Sequence, residues 1–180
     1  MSSQRSFAFA RGFFRGQWFE PFYAQVDEVG RVTYVGSTLP ESPVDSYTAE
    51  LSPVDPRTFI QSPANGHSHC FQFAIVGLTE RAVITDDGRS DDFWAWREAM
   101  YSAALSISPE DLRAIARALY SLMKINGYRS VTEFHYLHND RDGSRYEQRT
   151  LLADVLIEAA LEVGLNIVMT PVYYREGGFN

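Results

Sequence analysis

Apolar residues recur at helical spacing in two segments of the second half of the chain. The first stripe comprises Leu112, Ile115, Ala116, Leu119, Leu122 and Met123, and the second comprises Leu152, Val155, Leu156, Ala159, Ala160 and Val163. Both follow the i, i+3, i+4 pattern of a helix with one apolar face. Runs rich in β-branched and aromatic residues at 130–136 and 165–173 predict strands on either side of the second helix. This alternation predicts an α/β fold with a parallel sheet and right-handed crossovers.

Capping signals mark the ends of both helices. Ser108 and Asp111, with a proline directly after the serine, form a Ser-x-x-acid box typical of a helix start. The pair Asn126-Gly127 predicts a left-handed end for the first helix, and Gly164 predicts the end of the second.

Residues 1–57 are rich in aromatic and β-branched residues and have no helical period. The β-rich runs 25–26 and 31–35 flank the polar turn Asp27–Gly30, which predicts a hairpin. Four prolines between residues 40 and 56 then predict a loop-rich stretch. We interpret this part as a small antiparallel β unit, and we expect Thr58–Ile60 to begin the first strand of the parallel sheet.

Composition narrows the classes of function. The chain has 180 residues, of which 45% are hydrophobic and 22% charged, so it should bury a sizeable core. The net charge of −7, without a basic cluster, argues against a nucleic-acid partner. The single cysteine, Cys70, excludes an internal disulfide and favours a reducing compartment. No apolar run approaches the roughly 18 residues of a membrane span. We therefore expect a soluble cytoplasmic protein without a membrane partner.

The first candidate site is the motif His67-Ser68-His69, which follows a predicted strand. Side chains alternate along an extended segment, so both imidazoles should point the same way and could share one metal ion. An ordinary surface pair of histidines is the alternative, because His-x-His alone is a weak signal. Cys70 should point away from the pair as a buried thiol.

The second candidate is Arg97, which falls within the apolar face of a predicted helix at 92–101, beside Phe93, Trp96 and Met100. One interpretation is a guanidinium that stacks on tryptophan or extends to solvent. The other is a guanidinium that binds a carboxylate from within an aromatic pocket. The residues alone leave both open.

The third candidate is the segment Glu133–His138, at the end of the next predicted strand. Two histidines and Tyr136 at the carboxyl end of a strand suit contact with a substrate, since parallel sheets place their chemistry there. A packed tyrosine and a core histidine are the alternative, and Glu133 inside a strand is better explained by a structural pairing. The charged turn 139–145 lacks the full calcium-loop pattern and is interpreted as a solvated loop.

Together, five segments resemble the formimidoylglutamate deiminase branch of the amidohydrolase superfamily. They are His67–Gln72, Gly77–Glu80, Phe93–Tyr101, Gly127-Tyr128 and Glu133–His138. The resemblance implies a (β/α)₈ barrel, with residues 1–57 contributing to a small β-sandwich and residues 58–180 forming the first part of the barrel. It also implies hydrolytic deimination of N-formimino-L-glutamate to N-formyl-L-glutamate and ammonia, in histidine degradation.

The same resemblance assigns roles to five residues. His67 and His69 would hold part of a single divalent metal, zinc, while Gln72, Arg97 and Tyr136 match positions that contact the substrate. The family's remaining metal ligands and its acid/base residues are expected beyond Asn180, so no catalytic residue is assigned in this chain. A departure from the family is Gln61-Ser62, which stands where members usually carry Pro-Gly.

Length adds a further expectation, because a complete barrel needs about 250 residues. We expect a truncated form that binds metal weakly and is inactive alone, with an exposed half-barrel surface prone to self-association, including a homodimer. Two alternatives remain: a related amidohydrolase or deaminase with another substrate, and a non-catalytic truncated relic.

Overall fold

The computed structural model describes residues 5–39, 55–77 and 93–173. The chain divides into two compact units, Met1–Gln61 and Ser62–Asn180. The expected boundary after residue 57 lies close to this division, and the nature of each unit as part of a sandwich or a barrel stays a prediction.

In its described residues, 5–39 and 55–61, the first unit forms a five-stranded sheet. Its strands are β1 (Arg5–Phe14), β2 (Gln17–Phe19), β3 (Phe22–Val26), β4 (Val32–Gly36) and β5 (Asp55–Ile60). Strands β2, β1, β3 and β4 are neighbours in that order and pair antiparallel, whereas β5 pairs parallel with β1. The prediction of a small antiparallel β unit is confirmed for these four strands.

The predicted hairpin at Asp27–Gly30 is confirmed as the connection between β3 and β4. Asp27 Oδ1 accepts hydrogen bonds from the backbone N–H of Val29 at 3.1 Å and of Arg31 at 2.7 Å. Gly30 has a φ of 83°, a left-handed conformation that glycine adopts at little cost. The turn therefore depends on an Asp side chain that replaces backbone partners and a glycine that closes the loop.

The expectation that Thr58–Ile60 begins the parallel sheet is wrong. These residues belong to β5 and pair with β1, with Gly12 opposite Phe59. The Phe59 ring stacks on Phe22, with ring centres 4.6 Å apart and planes inclined by only 14°. Aromatic packing within the first unit thus holds this strand, a contact that the local pattern of β-rich residues does not reveal.

Within residues 62–77 and 93–173, the second unit contains a three-stranded parallel sheet and helices. Its elements are β6 (Ala64–Ser68), a 3₁₀ helix (Cys70–Ile75), α1 (Phe93–Ser106), α2 (Pro109–Ile125), β7 (Ser130–His135), α3 (Leu151–Val163) and β8 (Asn166–Pro171). The strands lie in the order β6-β7-β8 and all pair parallel. The predicted α/β class with parallel strands and helical crossovers is therefore confirmed.

The predicted helix ends are confirmed. The Ser108 side chain accepts from the Asp111 N–H at 3.1 Å, and an Asp111 oxygen accepts from the Ser108 N–H at 3.1 Å. This reciprocal box satisfies backbone donors that have no partner within α2. Gly127, just after α2, and Gly164, which caps α3, have φ values of 89° and 76°. Both glycines adopt the left-handed conformation expected at a helix end.

The core of this unit lies between the parallel sheet and the apolar faces of α2 and α3. The fully buried members of this cluster include Leu112, Ala116, Tyr120, Val131, Leu156, Ala159, Ala160 and Leu165. The stripe predicted for α3 is confirmed in its buried residues. In α2, by contrast, Leu122 is 46% exposed and Tyr120 is buried in its place.

The longest described helix is α2, with 17 residues that include charged side chains at both of its ends. Among residues 5–39, 55–77 and 93–173, no helix combines the length and the apolar character that crossing a bilayer requires.

Replacing Ser108 with alanine should lower the free energy of unfolding of the chain by about 1 kcal/mol, because the Asp111 N–H loses its acceptor at the start of α2. Urea unfolding followed by circular dichroism measures the change. Ser121→Ala, within the same helix, is the control and should shift stability by less than about 0.5 kcal/mol. Equal effects of the two substitutions would contradict a capping role for Ser108.

Candidate metal and substrate site

The His67-Ser68-His69 segment spans the carboxyl end of β6 and the turn into the 3₁₀ helix. Ser68 is buried, whereas His67 is exposed and His69 half-buried, so the two imidazoles lie on the opposite side of the strand from the serine. The Asn65 side chain accepts a hydrogen bond from the His67 N–H at 3.1 Å. This bond closes a short turn from Asn65 to His67. The turn lies within β6, where the pairing with β7 is irregular between Asn65 and Ser68.

The two imidazoles converge on one another. Their Nε2 atoms lie 2.9 Å apart, and the ring planes are nearly perpendicular at 87°. His69 Nδ1 lies 3.0 Å from the backbone carbonyl oxygen of Phe134. A carbonyl oxygen only accepts, so His69 Nδ1 carries the hydrogen and, in the neutral ring, His69 Nε2 carries a lone pair.

This arrangement suits two of the ligands of a metal ion. Zinc bound by two histidines at about 2.0–2.1 Å in tetrahedral geometry needs nitrogens about 3.3 Å apart, which a small rotation of either ring provides. A backbone carbonyl that holds the second ring nitrogen is the usual support of a metal-binding histidine. Without metal, His67 Nε2–H can donate to His69 Nε2. Within the described parts of the chain, no group of three or more His, Cys, Asp or Glu side chains forms a metal cluster.

Two aromatic rings, one in β7 and one just after it, flank the histidine pair. The Phe134 ring lies against His67, with centres 4.3 Å apart, and the Tyr136 ring lies against His69, at 4.8 Å. Phe134 and Tyr136 are two residues apart along an extended segment, so both face the same side. The structure therefore places Tyr136, a predicted substrate contact, beside a predicted metal ligand.

A cavity of about 290 Å³ opens next to His69. Its lining residues are His69, Gln72, Phe73, Ile75, Val76, Trp96 and Leu119. Gln72 shares this cavity with His69, and its side-chain NH₂ donates to Met100 Sδ at 3.3 Å. A mostly apolar wall with a few convergent polar groups is typical of a small-molecule site.

Arg97 lies on α1, directly after the cavity residue Trp96 and three residues before Met100, the partner of Gln72. Its guanidinium carbon lies 5.6 Å from the centre of the Tyr101 ring, a cation–π contact. Arg97 therefore has an aromatic neighbour, as expected, and this neighbour is Tyr101. Its role toward a carboxylate stays a prediction, as do the roles of His67, His69, Gln72 and Tyr136.

A buried polar cluster lies behind His69. Glu133 is 1% exposed, and it accepts hydrogen bonds from the Cys70 N–H at 2.5 Å and the Tyr120 hydroxyl at 3.3 Å. The Ser68 hydroxyl also bonds to it. Burial raises the pKa of Glu133, although these donors act in the opposite direction. The structural pairing expected for Glu133 is confirmed.

Burial also raises the pKa of the Cys70 thiol and of the Tyr120 hydroxyl, so both stay protonated beside Glu133. Cys70 is free and fully buried. The expectation of a buried thiol is confirmed.

His135 is the buried histidine of β7. Burial, and then the neighbouring His138, lower the pKa of His135 to about 4. The two rings lie 5.0 Å apart, and His138 Nε2 lies 2.8 Å from the carbonyl oxygen of Val172. Their contacts are those of core and strand-end residues, which matches the structural alternative left open for these histidines.

Sequence reasoning missed three contributors to this region. The Phe134 carbonyl that orients His69 is a backbone group and has no signature in the sequence. Asn65 could have been identified from the sequence, since an Asn side chain commonly accepts a hydrogen bond from the backbone N–H two residues later. Leu119 lines the cavity although it belongs to the predicted stripe of α2.

Comparison with known proteins agrees with this description. No family model matches the chain. The formimidoylglutamate deiminase of Pseudomonas aeruginosa is 42% identical over 115 residues, which cover 64% of this chain and 24% of that enzyme. The chain therefore resembles the N-terminal part of formimidoylglutamate deiminase, as predicted, and spans about a quarter of that relative.

Solved structures give the same picture. An amidohydrolase from Brucella melitensis is 32% identical, with a TM-score of 0.78, over 97% of this chain and 36% of its own. An atrazine chlorohydrolase from Arthrobacter aurescens, solved with zinc, has a TM-score of 0.61 at 19% identity, over 97% of this chain and 38% of its own. The fold is therefore that of an amidohydrolase over the matched region, and the relatives are hydrolases.

Acidification should destabilise the chain through His135. Because its pKa falls from 6.5 to about 4 on folding, the unfolded chain binds the extra proton between these values, and stability is lost as pH falls through that window. The loss should reach about 3 kcal/mol at most and should disappear in His135→Gln. Urea unfolding of both proteins from pH 7 to 4.5 measures it.

The raised pKa of Glu133 acts in the opposite direction, because its contribution to stability is lost as pH rises through its folded pKa. Glu133 is present in both proteins, so its effect cancels in the difference between them. Parallel stability curves for the two proteins would show that His135 does not titrate on unfolding.

Proposed function

We propose that this chain carries part of the active site of a zinc-dependent amidohydrolase that converts N-formimino-L-glutamate and water into N-formyl-L-glutamate and ammonia, a step of histidine degradation. The observation that carries the proposal is the convergence of His67 and His69 at their Nε2 atoms, with His69 oriented by the Phe134 carbonyl. The resemblance to a formimidoylglutamate deiminase supports the choice of substrate.

We further propose that β6, β7 and β8 are the first three strands of a (β/α)₈ barrel, and that residues 1–57 contribute to a β-sandwich. The sequential strand order supports this, since neighbouring strands of a barrel follow one another along the chain, whereas open doubly wound sheets reverse their order. The candidate site then lies at the carboxyl ends of the strands, where barrel enzymes perform their chemistry.

His67 and His69 would hold the zinc ion. When bound, zinc lowers the pKa of a coordinated water to about 7 and so makes a nucleophile available near neutral pH. At this site the described residues offer two imidazoles, fewer than the three protein ligands of most catalytic zinc sites. We therefore expect weak zinc binding by this chain and no turnover without further ligands.

The remaining residues would bind and orient the substrate. Formiminoglutamate carries two carboxylates and one basic formamidine group. Arg97 offers a planar pair of N–H donors that suits a carboxylate. Gln72 offers both an amide donor and an acceptor within the cavity, and Tyr136 offers a hydroxyl beside His69.

The cavity wall would keep the reacting group dry. Ile75 is buried, and Phe73 and Leu119 are half-buried apolar residues of the same lining. Exclusion of water strengthens the pairing of a carboxylate with a guanidinium, because the local dielectric constant falls. The expected cytoplasmic location and the expected self-association through an exposed surface stay predictions.

The chain should bind one zinc ion through the histidine pair. Competition with a chromogenic zinc chelator gives the affinity, and we expect His67→Ala and His69→Ala each to weaken it at least about tenfold, because one imidazole remains. His138→Ala removes an exposed histidine outside the pair and should leave the affinity within about twofold. If His138→Ala matched the other two variants, the site would not be at His67 and His69.

Arg97→Met should weaken binding of formiminoglutamate by a factor of about ten to a hundred, because a methionine of similar length cannot pair with a carboxylate. Saturation-transfer NMR with zinc present measures binding to the chain, and ammonia release measures any turnover. Arg117→Met, on an exposed face of α2, is the matched control and should bind like the wild type.

Formamidine, which lacks both carboxylates, should bind Arg97→Met and the wild type equally. If Arg97→Met bound formiminoglutamate as tightly as the wild type, Arg97 would not recognise a carboxylate. The alternative of a related amidohydrolase with another substrate would then be favoured.

A further inference from the structure

Glu133 makes contacts on both sides of His69 along the chain. Its carboxylate accepts from the N–H of Cys70, the residue after His69, and from the hydroxyl of Ser68, the residue before it. Ser68 is also the residue of β6 that lies opposite Glu133 in the parallel pairing with β7. One buried carboxylate thus bonds to both chain neighbours of His69.

The next residue of β7 holds the ring itself. The Phe134 carbonyl accepts from His69 Nδ1, whereas the Glu133 side chain lies on the other side of the strand, among the helices. Strand β7 therefore contacts His69 from two directions, through a side chain that binds the adjacent backbone and through a carbonyl that binds the imidazole.

A third element fixes the carboxylate. The Tyr120 hydroxyl of α2 donates to the second Glu133 oxygen at 3.3 Å, and Tyr120 is fully buried. A buried carboxylate that accepts several hydrogen bonds has little freedom to rotate, and an unsatisfied one is costly. The position of the Cys70 N–H is therefore tied to the packing of α2 against the sheet.

We propose that Glu133 is a positioning residue for the metal pair: by holding Ser68 and Cys70, it keeps His69 Nε2 directed toward His67 Nε2. The proposal rests on the proposed function only in that the pair binds a metal. No described hydrogen bond joins Glu133 to the ring atoms of either histidine, although its charge interacts with His69. The positioning proposed here acts through the backbone around His69.

The test compares Glu133→Leu with Glu133→Gln in the full chain. Leucine removes every acceptor, so the zinc affinity should fall about ten- to a hundredfold, the range seen when groups that orient metal ligands are lost. Glutamine keeps an oxygen for the Cys70 N–H, and its NH₂ can donate to the Tyr120 oxygen, so its affinity should stay within about threefold of the wild type. An equal loss in both variants would overturn the proposal, since the charge would then be what matters.

A second readout needs no metal. Nitrogen-15 NMR of the metal-free chain reports the His69 tautomer, which should be Nδ1–H in the wild type and in Glu133→Gln, and mixed in Glu133→Leu. If the wild type bound no zinc, the proposed function would fail while the tautomer still tested the role of Glu133. An unchanged tautomer in Glu133→Leu, together with unchanged zinc affinity, would overturn the positioning role.

A control separates positioning from general stability. Leu156→Ala opens the core on α3, a helix that packs against α2 and β8, and should lower the stability of the chain while keeping the zinc affinity and tautomer of the wild type. If Leu156→Ala lost zinc affinity as Glu133→Leu does, the effect would be one of stability alone, and the proposal would be wrong.

Should Glu133→Leu fail to fold, Glu133→Asp replaces it, because aspartate keeps the charge and draws the carboxylate back by one methylene. Its zinc affinity should fall at least about tenfold if reach to Cys70 is what matters. Wild-type affinity and tautomer in Glu133→Asp would overturn the proposal.

Discussion

The pairing of β6 with β7 is the interaction on which the candidate site depends. It brings Ser68 opposite Glu133, sets the Phe134 carbonyl against the His69 ring, and leaves both imidazoles on the opposite side of β6 from the buried Ser68. Because parallel strands alternate their side chains, a slip of one residue would exchange the buried carboxylate for an aromatic ring and remove both supports at once. Burial of side chains on one face of the sheet therefore specifies the register. The same register sets the geometry of the candidate site on the other face.

The helices of the second unit follow from local signals. The capping box at Ser108 and the glycines at 127 and 164 act through backbone groups of their own neighbourhood, so the pattern of residues is sufficient to predict them. The prediction for Thr58–Ile60 was wrong because a β-rich segment can pair with any of several strands, and its own residues do not identify which one. The stacking of Phe59 on Phe22, which decides the matter, joins residues that are distant along the chain.

The site was predictable in its residue types and less so in its supports. His67 and His69 are conspicuous by spacing, and Arg97 by its place among aromatic residues. The Phe134 carbonyl is invisible in a sequence, and the partners of Glu133 come from β6, the 3₁₀ helix and α2. Tyr120 instead of Leu122 faces inward, a difference of half a turn that the apolar stripe alone does not resolve.

The hydrogen bond from His69 Nδ1 to the Phe134 carbonyl has a consequence for how often the ring is ready to act. A free neutral imidazole exchanges between two tautomers, and only one of them presents its lone pair at Nε2. Apparent affinity falls in proportion to the competent fraction of molecules. By removing the second tautomer, folding leaves nearly every neutral His69 ring able to bind a metal ion through Nε2. The site is therefore occupied at a lower metal concentration than one whose histidine has the same intrinsic affinity but exchanges between both tautomers.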